Sequence, residues 1–166
     1  MESDRQCVDC ISLIGISVLM SRLAICLLGP PAIVLDGQPV MLDRWKAVAL
    51  LAYLAVEDGP HRRDGLATLL WPELSQAQAR NGLRRTLNAL HHALGDQSLD
   101  ASRETIQLPR VSDLSVDVWQ FRALIGAHRS AAAPAEALRE AVALYRGDFL
   151  AEFSLRDAPA FDDWRY

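Results

Sequence analysis

Residues 60–95, PHRRDGLATLLWPELSQAQARNGLRRTLNALHHALG, predict two helices joined by a tight turn. The second helix is predicted over 75–94. Ser75 can accept a hydrogen bond from a first-turn amide, and Gln78 follows three residues later, which is the pattern of a capping box. Gly95 stands where a left-handed residue commonly ends a helix. The apolar residues recur at steps of three and four, which places them on one helical face. They are Ala79, Leu83, Leu87, Leu90 and Leu94.

The first helix of the pair is predicted to begin at Arg63 or Asp64 and to end at Trp71. Pro72 ends it, because the residue before a proline is biased away from helical geometry. A glycine inside a helix costs about 1 kcal/mol relative to alanine, so we expect Gly82 to permit close packing against the first helix. The buried side of the first helix is expected to be Leu66, Leu69 and Leu70.

The opposite face of the second helix carries arginine and amide side chains. Arginine can bind guanine bidentately in the major groove, and asparagine or glutamine can bind adenine in the same way. No acidic residue occurs between Ser75 and Gly95, whereas a merely solvated helix, the ordinary alternative, tends to alternate charge signs. The predicted base-reading residues are Gln78, Asn81, Arg84, Arg85 and Asn88. The predicted contacts to the DNA backbone are Arg62, Arg63, Arg80 and Arg103.

The charge of the chain is distributed unevenly. The 166 residues carry a formal net charge of −4, which does not by itself indicate a nucleic-acid-binding protein. From His61 to Gly95, however, five arginines and two carboxylates give +3. This asymmetry fits a basic binding surface on an acidic body.

A hairpin is predicted directly after the second helix, at about 99–108. Ile106 and Leu108 alternate with polar residues, as in a half-buried strand. Arg103 lies at the predicted tip. A hairpin at this position is typical of the wing of a winged helix, whose basic tip can contact a phosphate or the minor groove. A plain surface hairpin with a solvated Arg103 is equally compatible with the sequence.

The remaining segments predict short strands before the helix pair and further helices after it. Asp36-Gly37 is a hairpin turn signal. Asp43 is expected to cap a largely apolar, buried helix over about 44–57. Residues 109–115 are predicted as a connector. The predicted strands are 23–28, 32–35 and 39–42. The later helices are predicted at 117–128, at 135–146 with Leu138, Val142 and Tyr145 on one side, and from 160 onward. An array of paired helices with so few members cannot bury its apolar faces. This part is therefore expected to continue in a longer protein or to dock on the first domain.

Residues 1–22 are expected to lie outside the fold. The apolar run 11–20 is too short to span a bilayer, and the segment lacks the positive leader and cleavage site of a secretory signal. One hypothesis is that translation starts at Met20. Cys7 and Cys10 could supply only half of a zinc site. We therefore predict no metal and no membrane association, and a reducing cytoplasm as the compartment.

The sequence does not predict an enzyme. It contains no GxxxxGK[ST] phosphate loop, no HExxH and no serine elbow. His91 and His92 are adjacent and do not share a helical face. No catalytic residue and no cofactor are predicted.

Taken together, these residues resemble the N-terminal part of the SARP-type transcriptional activators and their larger AfsR-like relatives. Residues 135–164, with YRGDFL at 145–150, are similar to the opening of the bacterial transcriptional activator domain. The resemblance covers about 23–166. The other matching stretches are 28–29, 44–46, 49–55, 63–72, 78–80, 83–85 with Leu87, and 117–121.

The resemblance implies a mainly α fold with small antiparallel β sheets (α+β). It implies a winged helix-turn-helix with an N-terminal sheet over 23–110. The first helices of a TPR-like activator domain, which stops early here, would follow over 116–166. In that family the third helix reads direct repeats in promoters, and by position this helix is 75–94. The implied partners are double-stranded DNA, RNA polymerase and, if the activator domain is completed, further copies of the chain in a homo-oligomer on DNA.

The sequence therefore predicts a sequence-specific DNA-binding transcriptional regulator, an activator, that reads promoter DNA through helix 75–94 and a wing at about 99–108. The alternative is a protein-interaction module of a larger signalling regulator without autonomous DNA binding, because fold alone does not determine function. The salt dependence of duplex binding distinguishes the two, since counterion release gives a DNA-binding protein a steep slope.

Overall fold

The computed structural model describes residues 22–95, 98–128 and 135–166, and most of the predicted extension 1–22, including Cys7 and Cys10, lies outside these ranges. Short strands and helices alternate along the chain. The strands are β1 (Leu23–Cys26), β2 (Ala32–Leu35), β3 (Gln38–Pro39), β4 (His61–Arg62), β5 (Asp100–Ala101), β6 (Thr105–Gln107) and β7 (Leu114–Val116). The helices are α1 (Trp45–Val56), α2 (Arg63–Leu70), α3 (Gln76–Leu94), α4 (Asp117–His128), α5 (Ala135–Leu144) and α6 (Pro159–Arg165).

The chain divides into two compact units, each built from two separate stretches. Of the described residues, the first unit contains 22–40, 111–128 and 135–153, and the second contains 41–95, 98–110 and 154–166. The chain crosses between the units because β7 returns to pair with β1, whereas 154–166 packs with helices of the second unit. The units do not coincide with the predicted domain ranges 23–110 and 116–166, which remain a prediction.

The first unit contains a four-stranded sheet in the order β3-β2-β1-β7. The strands β1, β2 and β3 are antiparallel, and the turn at Asp36-Gly37 adopts the positive φ angles of 49° and 76° that its sequence predicts. Two predicted strands had wrong bounds, since β1 ends at Cys26 and β3 is the pair Gln38–Pro39. The parallel strand β7 begins inside the stretch 109–115 that was predicted as a connector. The sequence does not reveal this strand, because three residues are too few to show a period.

Asp117 ties the start of α4 to the end of β1. Its carboxylate is buried, and its Oδ2 accepts hydrogen bonds from the backbone N–H groups of Leu27 at 2.7 Å and Leu28 at 2.8 Å. Its Oδ1 accepts the N–H of Val118, and Arg146 Nη2 lies 3.6 Å from Oδ2. Burial raises the pKa of Asp117, while these donors and the guanidinium act in the opposite direction.

Two of the three apolar residues predicted on one side of α5 are exposed. Val142 is 72% exposed and Tyr145 is 49% exposed, whereas the buried residue of the helix is Ala141. The helix also ends at residue 144, so Tyr145 follows it and donates a hydrogen bond to Asp148. A helical face centred on a small alanine turns the next residue away from the packing surface by about 100°.

In the second unit, α1 is the largely buried helix that its composition predicts. Its buried residues are Ala47, Ala49, Leu50, Leu51, Ala52, Leu54 and Ala55. The predicted cap is wrong, because Arg44 occupies the N-cap position with no side-chain cap and Asp43 lies one residue too early. The predicted helix at the C-terminal end is present as α6. Its Trp164 donates a hydrogen bond to Glu57 Oε1 at 2.8 Å and packs against Tyr53.

Within the described ranges, none of the helices combines the length and the apolar character needed to cross a bilayer.

Candidate nucleic-acid interface

The helix α3 buries one face and exposes the other. Its buried residues are Ala79, Leu83, Thr86, Leu87, Leu90 and Leu94. The predicted capping box is confirmed, since Ser75 Oγ accepts the N–H of Gln78 and Gln78 Oε1 accepts the N–H of Ser75. The predicted end is confirmed as well, because Gly95 follows the helix with a φ of 91°. The sequence therefore fixes both ends of α3 locally.

The helix α2 packs closely against α3. It ends at Leu70, and a β-carbon built on Gly82 would lie 2.8 Å from Cε2 of Trp71, which confirms the predicted close packing. Lys46 holds the end of α2 by donating to the Leu70 carbonyl at 2.5 Å, with its Nζ 4.9 Å from the Trp71 ring centroid. The buried residues of α2 are Leu66, Ala67 and Leu70. Leu69 is only half-buried, which corrects the prediction for that residue.

The predicted hairpin is present as β5 and β6, and β4 pairs with β6 as a third strand. Arg103 lies in the exposed turn, as expected. Arg63 holds this turn twice: its backbone N–H donates to the Glu104 carbonyl at 2.9 Å, and its Nη1 donates to the Ser102 carbonyl at 2.5 Å. The guanidinium of Arg63, which was predicted to contact a DNA phosphate, thus uses one of its donors to hold the hairpin turn.

A groove of about 520 Å³ lies between the start of α2, the exposed face of α3 and the hairpin turn. We call it the basic groove. All four predicted backbone-contacting arginines line it, and so do two of the predicted base-reading residues. Its lining residues are Arg62, Arg63, Asp64, Arg80, Asn81, Leu83, Arg84, Arg103 and Glu104. Residues distant in sequence are therefore brought to one surface.

The other three predicted base-reading residues are exposed on α3 but do not line the basic groove. The side chain of Gln78 is engaged in the capping box. Arg85 directs its Nε to the Asn81 carbonyl at 3.4 Å, and Asn88 lies one turn further along the helix. These residues extend the polar face of α3 beyond the groove.

Sequence reasoning missed the two carboxylates of the basic groove, Asp64 and Glu104. Asp64 forms a bidentate ion pair with Arg80, from Nε to Oδ1 at 2.6 Å and from Nη2 to Oδ2 at 2.8 Å. This hydrogen bonding lowers the pKa of Asp64 and raises that of Arg80. The only sequence signal was an acidic residue in the first turn of α2, and that signal is equally typical of a residue that favours the helix dipole.

Among the residues that the structure describes, no group of three or more histidine, cysteine or carboxylate side chains is placed to hold a metal ion.

Comparison with known proteins bears on the fold. No family profile matches the chain, and no curated protein matches it. Among solved structures, the fold is similar to EmbR of Mycobacterium tuberculosis, determined in complex with a low-affinity phosphopeptide, with a TM-score of 0.69 and 27% sequence identity. The chain has a SARP-like fold.

The similarity covers 87% of this chain and 41% of EmbR, so the chain spans about two fifths of the length of that structure. EmbR is a SARP-family transcriptional regulator. The mixed α/β architecture with small sheets agrees with the fold class implied by the sequence.

Proposed function

We propose that this chain is a sequence-specific DNA-binding regulator of transcription, an activator, that binds double-stranded DNA through a winged helix. In this proposal α2 and α3 form the helix-turn-helix, and the β5–β6 hairpin is the wing. Residues 116–166 would begin a TPR-like activator domain.

The observation that carries the proposal is the convergence of five arginines on the basic groove: Arg62, Arg63, Arg80, Arg84 and Arg103. They come from β4, α2, α3 and the turn between β5 and β6, so their proximity is a property of the fold. Duplex DNA presents a regular array of phosphates, and arginines that neutralise them release condensed counterions. A groove flanked by an exposed helix face and a hairpin suits a duplex, because the helix can enter the major groove while the hairpin follows the backbone.

The polar residues in and beside the groove divide into two proposed roles by position. Arg62 and Arg103 are exposed at β4 and the hairpin turn, where they suit the phosphate backbone. Asn81 and Arg84 are exposed on α3 within the groove, where they suit base edges. Gln78, Arg85 and Asn88 extend base reading along the same helix. Their positions predict that α3 contacts the bases from its first turn to Asn88.

The proposal carries further expectations. RNA polymerase and further copies of the chain on adjacent repeats are the expected protein partners, and no catalytic activity, cofactor or metal is required. A DNA partner implies the cytoplasm as the compartment. These expectations are properties of the proposed regulator and rest on DNA binding.

The test is selection from a pool of random duplexes with the purified chain at low and high salt, followed by sequencing of the retained DNA. Enrichment of one motif at the higher salt supports the proposal, and the repeat spacing gives the half-site geometry. Retention at low salt without a motif would contradict sequence-specific reading. No retention at either salt would contradict DNA binding and would favour the protein-interaction module.

A further inference from the structure

A carboxylate stands inside a groove otherwise dominated by arginines. Asp64 lies in the first turn of α2, and its partner Arg80 lies in the second turn of α3. Both side chains remain accessible, with 42% and 55% of their surfaces exposed. This negative charge opposes the binding of phosphates in the groove, because the carboxylate repels phosphates and competes with them for Arg80.

The geometry of the pair leaves Arg80 able to bind a second anion or a base. Asp64 occupies the Nε–H and one N–H of Nη2, on one edge of the guanidinium. Arginine has five N–H donors in a planar fork. The other edge, formed by Nη1 and the second N–H of Nη2, is therefore still available. A guanidinium held in this way is fixed in direction before DNA arrives.

The pairing sets Arg80 apart from the other groove arginine of α3. The salt bridges within the described residues do not include Arg84, and its long side chain is exposed. Ordering such a side chain on binding has an entropic cost, which preorganisation reduces. Of the two arginines of α3 that line the groove, Arg80 is the one held by a carboxylate of the protein.

We propose that Asp64 is a specificity-determining residue, which positions Arg80 for one register of the duplex and weakens binding in all other registers. This inference rests on the proposed DNA-binding function. In the correct register the fixed Arg80 meets its phosphate or base with little further ordering. In other registers the carboxylate repels the backbone and Arg80 is held away from it. Asp64 therefore raises the ratio of specific to non-specific affinity.

The experiment measures that ratio for the full chain. Binding constants are determined for the duplex enriched in the selection above and for a scrambled duplex of equal length and composition, at one salt concentration. The variants are Asp64→Asn, Glu104→Gln, Arg80→Ala and the double variant Asp64→Asn/Arg80→Ala. Glu104→Gln is the matched control, since it removes a negative charge from the same groove without disturbing the Asp64–Arg80 pair.

We expect Asp64→Asn to bind the scrambled duplex more tightly than wild type and to lower the affinity ratio by roughly 3- to 10-fold, the range of a modest preorganisation effect. Glu104→Gln should tighten binding to both duplexes alike. In the Arg80→Ala background, Asp64→Asn should behave as Glu104→Gln does. Arg80→Lys provides a second variant, because lysine keeps the charge but lacks the planar fork, and it should lower the ratio as Asp64→Asn does.

Four results would overturn the inference. The first is an Asp64→Asn ratio equal to that of Glu104→Gln, which would leave only a net-charge effect. The second is an effect of Asp64→Asn on the affinity ratio that is as large in the Arg80→Ala background as in the wild type. The third is a wild type that binds neither duplex at any salt concentration, which would remove the proposed function and this inference together. Uniform loss on both duplexes would indicate a purely structural role and would also contradict it.

Discussion

The indole ring of Trp71 lies directly against the backbone of Gly82, so that a β-carbon at position 82 would approach Cε2 to 2.8 Å. Trp71 directly follows the last residue of α2, and Gly82 lies inside α3. This contact sets how closely the two helices approach. The contact therefore also sets the distance between the exposed face of α3 and the start of α2, which both line the basic groove.

Gly82→Ala is expected to destabilise the protein. Alanine has the higher helix propensity, by about 1 kcal/mol, but overpacking a close contact costs about 1–3 kcal/mol. We expect a net loss, measured by urea unfolding. The matched control is Gly65→Ala in α2, where nothing lies within 4 Å of the added β-carbon. That substitution should raise stability by up to about 1 kcal/mol. Equal stabilisation by both substitutions would contradict the packing account.

Arg63 is expected to act mainly on the hairpin turn. Removing its guanidinium in Arg63→Ala deletes the hydrogen bond to the Ser102 carbonyl. A typical hydrogen bond contributes about 0.5–1.5 kcal/mol and one of a charged group more, so for this exposed bond we expect the opening free energy to fall by about 1–2 kcal/mol. Such a fall speeds exchange roughly 5- to 30-fold. The measurement is amide hydrogen exchange at Ser102, whose N–H donates to the Thr105 carbonyl.

The control for this prediction is Arg62→Ala, because Arg62 is exposed and pairs with β6 through its backbone. It should leave the exchange rate of the Ser102 amide within about twofold of wild type. Faster exchange in the Arg62 variant than in the Arg63 variant would show that the turn is held in another way.

The sequence alone predicts what is encoded locally. The Ser75–Gln78 capping box, the end of α3 at Gly95 and the hairpin around Arg103 each depend on residues a few positions apart, and each is present. The close packing at Gly82 was also predictable, because an interior helical glycine carries a propensity cost that packing can offset.

What the sequence does not reveal depends on residues distant along the chain. The strand β7 is three residues long and is defined by its parallel pairing with β1, about 90 positions away. The pairing of Asp64 with Arg80 joins two helices, and neither residue is unusual in its own helix. The exposed face of α3 contains no acidic residue, yet α2 supplies one to the same groove. Tertiary packing, and not local pattern, determines these features.

Asp117 is expected to be a major stabilising residue of the first unit. In Asp117→Asn the side chain keeps one acceptor oxygen where the carboxylate serves three backbone N–H groups. A buried donor left without a partner costs about 1–3 kcal/mol, so urea unfolding should show a loss of that size. Asp113→Asn is the control, since Asp113 is exposed, and it should change stability by less than about 0.5 kcal/mol. Equal stability of both variants would contradict this role.

The ion pair of Asp64 and Arg80 is expected to weaken in acid. The hydrogen bond from Arg80 lowers the pKa of Asp64 in the folded protein. The contribution of the pair is therefore fully present above the ordinary aspartate pKa of about 3.9 and is lost as the pH falls through the lowered value. The difference in Tm between wild type and Asp64→Asn should be constant from about pH 7 to pH 5 and should shrink toward about pH 3. A difference that grows in acid would contradict the assignment.

The central claim is that α3 reads bases from the basic groove, and the most direct test is the affinity of Arg84→Ala for the enriched and the scrambled duplex. Arg139→Ala on α5 serves as the control, because Arg139 is exposed and does not line the groove. A base-reading arginine contributes about 1–3 kcal/mol of discrimination. We predict that Arg84→Ala loses roughly 5- to 150-fold in affinity for the enriched duplex, with a much smaller loss for the scrambled one. Equal losses on both duplexes, or no loss on either, would contradict the claim.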